Sequence, residues 1–184
     1  ALKSAGAVNE VIAFAQSQEA MEKAVELGVA DRFENTLAEA VTEADIVILA
    51  TPITAMGKIM REIVPHLKED AVVSDVGSTK GSVIESIEAE LGYLPERFVP
   101  AHPIAGTEKH GVENSFDTLF KNRRTLVIPH LGNSHDAVKT IHDMWQAAGS
   151  MTEEMGVKHH DQVLAATSHI PHLLAYATVD TLAN

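Results

Sequence analysis

Short apolar runs bounded by turn residues alternate with amphipathic helical stretches along most of this chain, and that alternation restricts the fold more than any other feature. Asp45-Ile46-Val47-Ile48-Leu49-Ala50-Thr51-Pro52 is the clearest run. It is apolar at consecutive positions, as expected of a strand covered on both faces of a parallel sheet. Residues 11–15, 71–76, 97–101, 125–129 and 151–154 read as further strands. Helices are predicted over 18–27 with Ser17 as N-cap, 37–44 with Asn35 or Thr36 as cap, 54–67, 81–91 and 136–148. Ala1 to Gly6 reads as the last turns of a helix closed by Gly6. Strand-helix-strand repetition with short turns predicts an α/β fold with an open, doubly wound parallel sheet. Near Gly156 this pattern gives way to one long helix running from Lys158 to the chain end, which divides the chain into 1–154 and 155–184.

Composition removes several function classes. Lys plus Arg is 14 against 26 Asp plus Glu, a net charge of −12. That disfavours nucleic acid or an anionic membrane as the main partner. The chain has no cysteine, which excludes disulfides, thiolate catalysis and Cys-ligated zinc and fits a reducing, cytoplasmic setting. No apolar run approaches the length of a bilayer span. The chain starts at Ala1 without a signal peptide and stops inside the apolar stretch 173–184, so both ends read as cut.

Ligands of doubly wound sheets bind outside the carboxyl ends of the strands. That rule selects Ala15-Gln16-Ser17, Thr51-Pro52, Gly77-Ser78 and His102-Pro103. His102 lies at a strand end ahead of the rigid Pro103 and the flexible Gly106, where it reads either as a general base or as a loop-capping histidine. Gly77-Ser78-Thr79-Lys80-Gly81 opens a helix. Its N–H groups either face an anion or nucleotide or belong to an ordinary capped turn, and the P-loop spacing is missing. Ser168-His169-Ile170-Pro171-His172 places a proline inside a helical pattern, at a cost of about 3 kcal/mol, which marks a candidate site. With His159-His160-Asp161 it also raises the thought of a metal. The metalloprotease pattern of His at i and i+4 is absent, however, and no metal site is expected. The methionines after Thr51 and Trp145 read as core, and Glu85, Glu88 and Glu90 as a solvated face.

Asp75-Val76-Gly77-Ser78-Thr79-Lys80-Gly81, His102-Pro103-Ile104-Ala105-Gly106-Thr107-Glu108 and Ser168-His169-Ile170-Pro171-His172, in this order and spacing, resemble the prephenate dehydrogenase family with its arogenate and cyclohexadienyl members. The resemblance implies a Rossmann-like dinucleotide-binding domain over 1–154 and the beginning of a helical substrate and dimerisation domain over 155–184. It implies oxidation of prephenate or arogenate by NAD or NADP with loss of carbon dioxide, as part of tyrosine synthesis, in a homodimer. It makes His102 the base and has Ser78 hydrogen-bond His102 or the substrate hydroxyl. It has Thr107, Ser168, His169 and His172 line the substrate cleft, and Ala15, Gln16, Ser17, Thr51, Pro52, Val76, Gly77 and Pro103 border the cofactor. Lys80 and Lys109 are nearby cations without an assigned role. The family's first strand and its Gly-x-Gly-x-x-Gly turn precede the first residue here, and its substrate-gripping Arg follows the last. Weak dinucleotide binding by the chain alone is therefore expected. Where NAD-specific members carry an acid after the second strand, this chain has Ala15-Gln16-Ser17, which leaves NAD slightly favoured over NADP. The rival readings are a β-hydroxyacid-type dehydrogenase, which would need a Lys on the long helix, a non-catalytic nucleotide-binding module, and a His-ligated metal hydrolase.

Overall fold

The computed structural model describes residues 1–107, 109 and 111–183; Glu108, part of the second motif, and Asn184 lie outside them. Strand β1 (Ile12–Ala13) pairs in parallel with β2 (Arg32–Phe33). Helix α1 (Gln18–Glu26) joins them, and the Ser17 hydroxyl accepts from the Ala20 N–H at 3.2 Å, the expected N-cap. β2 had no counterpart in the sequence reading, because two residues are too few to show a period. Helix α2 (Leu37–Thr42) starts on Thr36, whose hydroxyl accepts from the Glu39 N–H. Ala1 to Ala7 closes as foreseen: the Ala7 N–H reaches the Leu2 carbonyl, the Gly6 N–H reaches that of Lys3, and Gly6 sits at φ +63°.

Strand β3 (Ile46–Leu49), helix α3 (Ile53–Ile63) and strand β4 (Val72–Asp75) make the central unit, with β3 and β4 parallel from Ile46↔Val72 to Leu49↔Asp75. The continuous apolar run now has its explanation. Val47, Leu49 and Val73 face one buried cluster with Met56, Met60, Ile63, Val83, Ile87 and Phe98, while Ile46, Ile48 and Val72 face another with Ile141, Met144 and Trp145. Alternate residues of each strand thus pack on opposite faces. Helix α3 ends before Pro65, which sits in a 3₁₀ turn (Val64–His66), rather than reaching Leu67. Helix α4 (Lys80–Leu91) crosses α3 closely: a Cβ on Gly57 would lie 2.2 Å from the Ser86 carbonyl oxygen. Gly92, at φ +80°, closes α4.

Residues 97–99 run parallel to β4, with the Val73 N–H bonded to the Arg97 carbonyl and the Val99 N–H to that of Val73. They lead into β5 (Ala101–Pro103). Strand β6 (Arg124–Val127), helix α5 (His135–Ala147) and strand β7 (Met151–Glu154) complete the sheet. β6 is parallel to β7 but antiparallel to β5, a departure from the all-parallel expectation. Between β5 and β6 the described residues hold only a 3₁₀ turn (Val112–Asn114). Without a crossover helix a returning strand pairs antiparallel.

The predicted long terminal helix is interrupted. Helix α6 (Val157–Leu164) passes through a π-turn (Ala165–His169) into α7 (Ile170–Ala183). The wide turn falls just ahead of Pro171, which lacks an N–H and crowds the carbonyl four residues back. Along α7, Leu173, Leu174, Tyr176, Val179 and Leu182 are exposed.

Candidate functional site

Strand β5 holds His102 between two buried neighbours, Ala101 and Pro103, so its backbone is fixed while its ring stays half-buried. The ring borders a cavity of about 620 Å³ that Ile104, Thr107, Phe116, Leu119, Leu164, Ser168 and His172 also line, with Lys121 and Arg123 among its walls. Lys121 and Arg123 are exposed, and neither forms an ion pair with a described residue. They present positive charge to the cavity of a chain whose net charge is −12.

Behind His102 lies a chain of polar contacts. His102 Nδ1 is 3.0 Å from Nε2 of His160, which is 0% exposed. His160 Nδ1 is 2.7 Å from Asp161 Oδ1. The two carboxylate oxygens of Asp161 accept the Lys80 N–H at 2.9 Å and the Gly81 N–H at 2.8 Å. Asp161, on α6, therefore caps the start of α4. Beneath, the Lys80 ammonium donates to Asp75 Oδ2 at 2.5 Å and to the Ala101 carbonyl at 2.7 Å, and both ionic side chains are 0% exposed. The lysine thus braces the residue next to His102.

These contacts set the charges. Burial, followed by the Lys80 charge and by His160 and His169, lowers the His102 pKa to about 4, against a smaller opposing pull from Asp161. His102 is neutral at physiological pH and can accept a proton. Burial works to raise the Asp161 carboxyl, but hydrogen bonds from His160 and the Gly81 and Lys80 N–H groups outweigh it and hold it below the usual carboxylate range. In the Asp75–Lys80 pair, burial pushes the carboxyl up and the ammonium down.

The remaining sequence candidates fall in two groups. Ala15, Gln16 and Ser17 are exposed just past β1, and Thr51 and Pro52 just past β3. Val76 and Gly77 follow β4 and meet the end of β3: the Val76 N–H donates to the Leu49 carbonyl at 3.2 Å, and a Cβ on Gly77 would lie 3.3 Å from Ile53. Pro103 is buried and borders the cavity. The α3 N-terminus has no side-chain cap, whereas that of α4 is taken by Asp161. Of the two readings of Gly77–Gly81, the Lys80 and Gly81 N–H groups follow the capped turn, with a carboxylate of the chain itself as the cap. Thr107, Ser168 and His172 share the cavity with His102. His169 is half-buried and does not border the cavity, although it is among the groups that lower the His102 pKa. Ser78 is exposed and does not line the cavity. His102 Nδ1 bonds to His160 instead of to Ser78.

Sequence reasoning passed over His160 and Asp161 as parts of the base, having weighed them only as metal ligands. Among the described residues no group of three such side chains could hold a metal ion. It also passed over Lys121 and Arg123, although Lys121-Asn122-Arg123-Arg124 is a basic cluster in an acidic chain and was available as a signal.

Residues 1–154 match the family model described as prephenate dehydrogenase, nucleotide-binding domain. The chain is 36% identical over 165 residues to the cyclohexadienyl dehydrogenase of Zymomonas mobilis, covering 89% of this chain and 55% of that protein. It is 31% identical over 166 residues to the prephenate dehydrogenase of Bacillus subtilis, covering 89% and 44%. The chain thus spans about half the length of these curated relatives. Among solved structures, prephenate dehydrogenase from Aquifex aeolicus in complex with hydroxyphenyl propionate and NAD+ superposes with a TM-score of 0.90 at 34% identity, covering 98% of this chain and 63% of that one.

Proposed function

This chain belongs to the prephenate dehydrogenase family through its nucleotide-binding domain, and on that premise we propose that the protein oxidises prephenate or arogenate with release of carbon dioxide. The products are 4-hydroxyphenylpyruvate or tyrosine. The observation that carries this reading is His102: a neutral imidazole, fixed on a strand, bordering a cavity large enough for a substituted ring.

In the proposed reaction His102 accepts the proton of the ring hydroxyl as that carbon becomes a carbonyl. A bound nicotinamide would supply the hydride acceptor; loss of the ring carboxylate as carbon dioxide leaves its bond electrons to complete the aromatic ring, and the phenolate oxygen takes the proton back from His102. Ile104, Phe116, Leu119 and Leu164 pack the ring and exclude water. Thr107, Ser168 and His172 offer hydrogen bonds around it. Lys121 and Arg123, the lysine and arginine among the cavity's lining residues, attract the substrate carboxylates. The Ser78 hydroxyl, free of any His102 bond, is left for substrate or cofactor.

The crest formed by Ala15, Gln16, Ser17, Thr51, Pro52, Val76, Gly77 and Pro103 fits one side of a dinucleotide. Its members lie at or just past strand ends, the first five are exposed, and the uncapped α3 N-terminus leaves N–H groups for a polar partner. Ser17 accepts from Ala20, so its own O–H remains free to donate. Arg32, on the neighbouring strand, is tied to Glu10 and Glu34 and so is not offered to a ribose 2′-phosphate, which favours NAD over NADP. Residues 155–184 begin the helical substrate domain in this reading. The exposed apolar residues of α7 then become buried against the rest of that domain and a second copy. No helix of the described residues is long and apolar enough to cross a membrane, and a cysteine-free composition fits a cytoplasmic setting.

The test is NAD(P)H formation by the product of the full reading frame, with prephenate and arogenate each paired with NAD and NADP. At least one pair is expected to reduce the cofactor. Failure of all four rejects the proposal.

A further inference from the structure

We propose that Asp161 and His160 are positioning residues that fix the tautomer of His102, protonated at Nδ1 and bare at Nε2, so that Nε2 is the atom that takes the substrate proton. Only the identity of the proton donor rests on the function proposed above; the tautomer rests on the hydrogen-bond chain with His160 taken as a neutral ring.

An ionised carboxylate only accepts hydrogen bonds. Asp161 is held in that form by the Lys80 and Gly81 N–H groups at a helix N-terminus, where negative charge is favoured. Gly81 admits it: a Cβ there would lie 2.8 Å from Asp161 Oδ2. Asp161 Oδ1 is 2.7 Å from His160 Nδ1, so that nitrogen must carry the proton. A neutral ring protonated at Nδ1 has a bare Nε2. That bare atom is 3.0 Å from His102 Nδ1, which must in turn donate. The lone pair of His102 is thereby assigned to Nε2, the ring nitrogen not engaged by His160. The reverse tautomer would put N–H at that atom, where it can give a hydrogen bond but cannot receive a proton.

The charged and titratable groups facing His102 come from three directions: Lys80 on α4, His160 and Asp161 on α6, and His169 on the π-turn. Lys80 opposes a positive ring and Asp161 favours one. As Nε2 takes the hydroxyl proton, the O–H bond breaks and an N–H bond forms. The imidazolium created is then bonded through His160 toward the Asp161 carboxylate. His102 comes from β5, the relay from α6 and its anchor from α4. The base is therefore competent only when α6 is docked against α4.

The tautomer can be read without substrate or cofactor. The chain is labelled with ¹⁵N-histidine, and long-range ¹H–¹⁵N correlations are recorded at pH 8, above the ordinary imidazole pKa of about 6.5. The His102 signals are assigned by their loss in His102→Asn. We expect Nδ1 protonated and Nε2 bare in His102 and in His160. In Asp161→Asn the Nε2–H form of His102 should become populated. In the active protein the same substitution should lower kcat by at least about tenfold, the sign of a wrong tautomer, with KM changed less than about threefold. A wild-type His102 that is mainly the Nε2–H form overturns the proposal, as does an Asp161→Asn spectrum with the tautomer unchanged. If Asp161→Asn does not fold, the wild-type spectrum decides alone. A correct tautomer in a protein inactive toward prephenate and arogenate would retain this inference and reject the functional one.

Discussion

Replacing Lys80 with Met tests the foundation under the site. The ammonium is 0% exposed and donates to Asp75 Oδ2 and to the Ala101 carbonyl. Methionine keeps most of the stem and removes both bonds. The substitution leaves a buried carboxylate with only backbone partners, at Gly77 and Ala101, and no countercharge. Removing one partner of a buried ion pair costs about 3–5 kcal/mol. For a chain of this length that lowers Tm by roughly 6–20 °C. The loss should depend on pH. Without Lys80 the folded carboxyl lies further above its unfolded value, so the native state binds a proton that the unfolded state releases. The deficit is therefore full at neutral pH and shrinks as the pH falls through the raised folded value. Urea unfolding followed by the fluorescence of Trp145, which packs against Phe120 at 5.0 Å between ring centroids, gives both quantities. Asp75→Asn in the same chain should recover part of the loss. A deficit below about 1 kcal/mol at pH 7.5, or one that does not shrink as the pH is lowered, would refute the reasoning.

Because His102 is held near 4, the acid limb of kcat/KM should fall as pH drops through about 4, where the base becomes protonated; a limb near 6.5 would contradict that burial. In Lys80→Met the same limb should move to higher pH, since the lysine charge is one of the causes holding His102 down. Lys121→Glu and Arg123→Glu should each raise KM by up to about fivefold, the size of an exposed charge contact, with kcat little changed and with the effect reduced by salt. Steady-state kinetics at two ionic strengths checks this, and an unchanged KM would remove both residues from the substrate path. Gly57→Ala should cost about 1–3 kcal/mol in urea unfolding, because its Cβ would lie 2.2 Å from the Ser86 carbonyl oxygen; a neutral substitution would show that α3 and α4 can separate freely.

Much of the scaffold was legible because it is written in local pattern. The run from Asp45 to Pro52 showed its two buried faces through consecutive apolar residues, and Ser17, Thr36, Gly28 and Gly92 bracket helices through capping and left-handed backbone. What could not be read locally was pairing direction and long-range contact. β5 and β6 pair antiparallel because no helix crosses between them in the described residues, an arrangement invisible in the strands themselves. The base was legible as His102 at a strand end, but its partners were not. Asp161 caps a helix that begins 81 residues earlier, and no spacing rule links the two. Lys80, read as part of a turn, proved to be buried under the site, since a charged residue gives no sign in sequence of the carboxylate that will cover it. Pro171 did announce a disturbance, and around the π-turn before it Ser168 and His172 border the cavity while His169 does not.

The central claim is that one neutral imidazole takes the proton of the ring hydroxyl. Its most direct test is kcat of His102→Asn with prephenate in the product of the full reading frame, beside a check that folding is intact. A fall of about 10²- to 10⁴-fold is expected, the usual contribution of a general base. A folded variant that retains more than about a tenth of the wild-type kcat would contradict it.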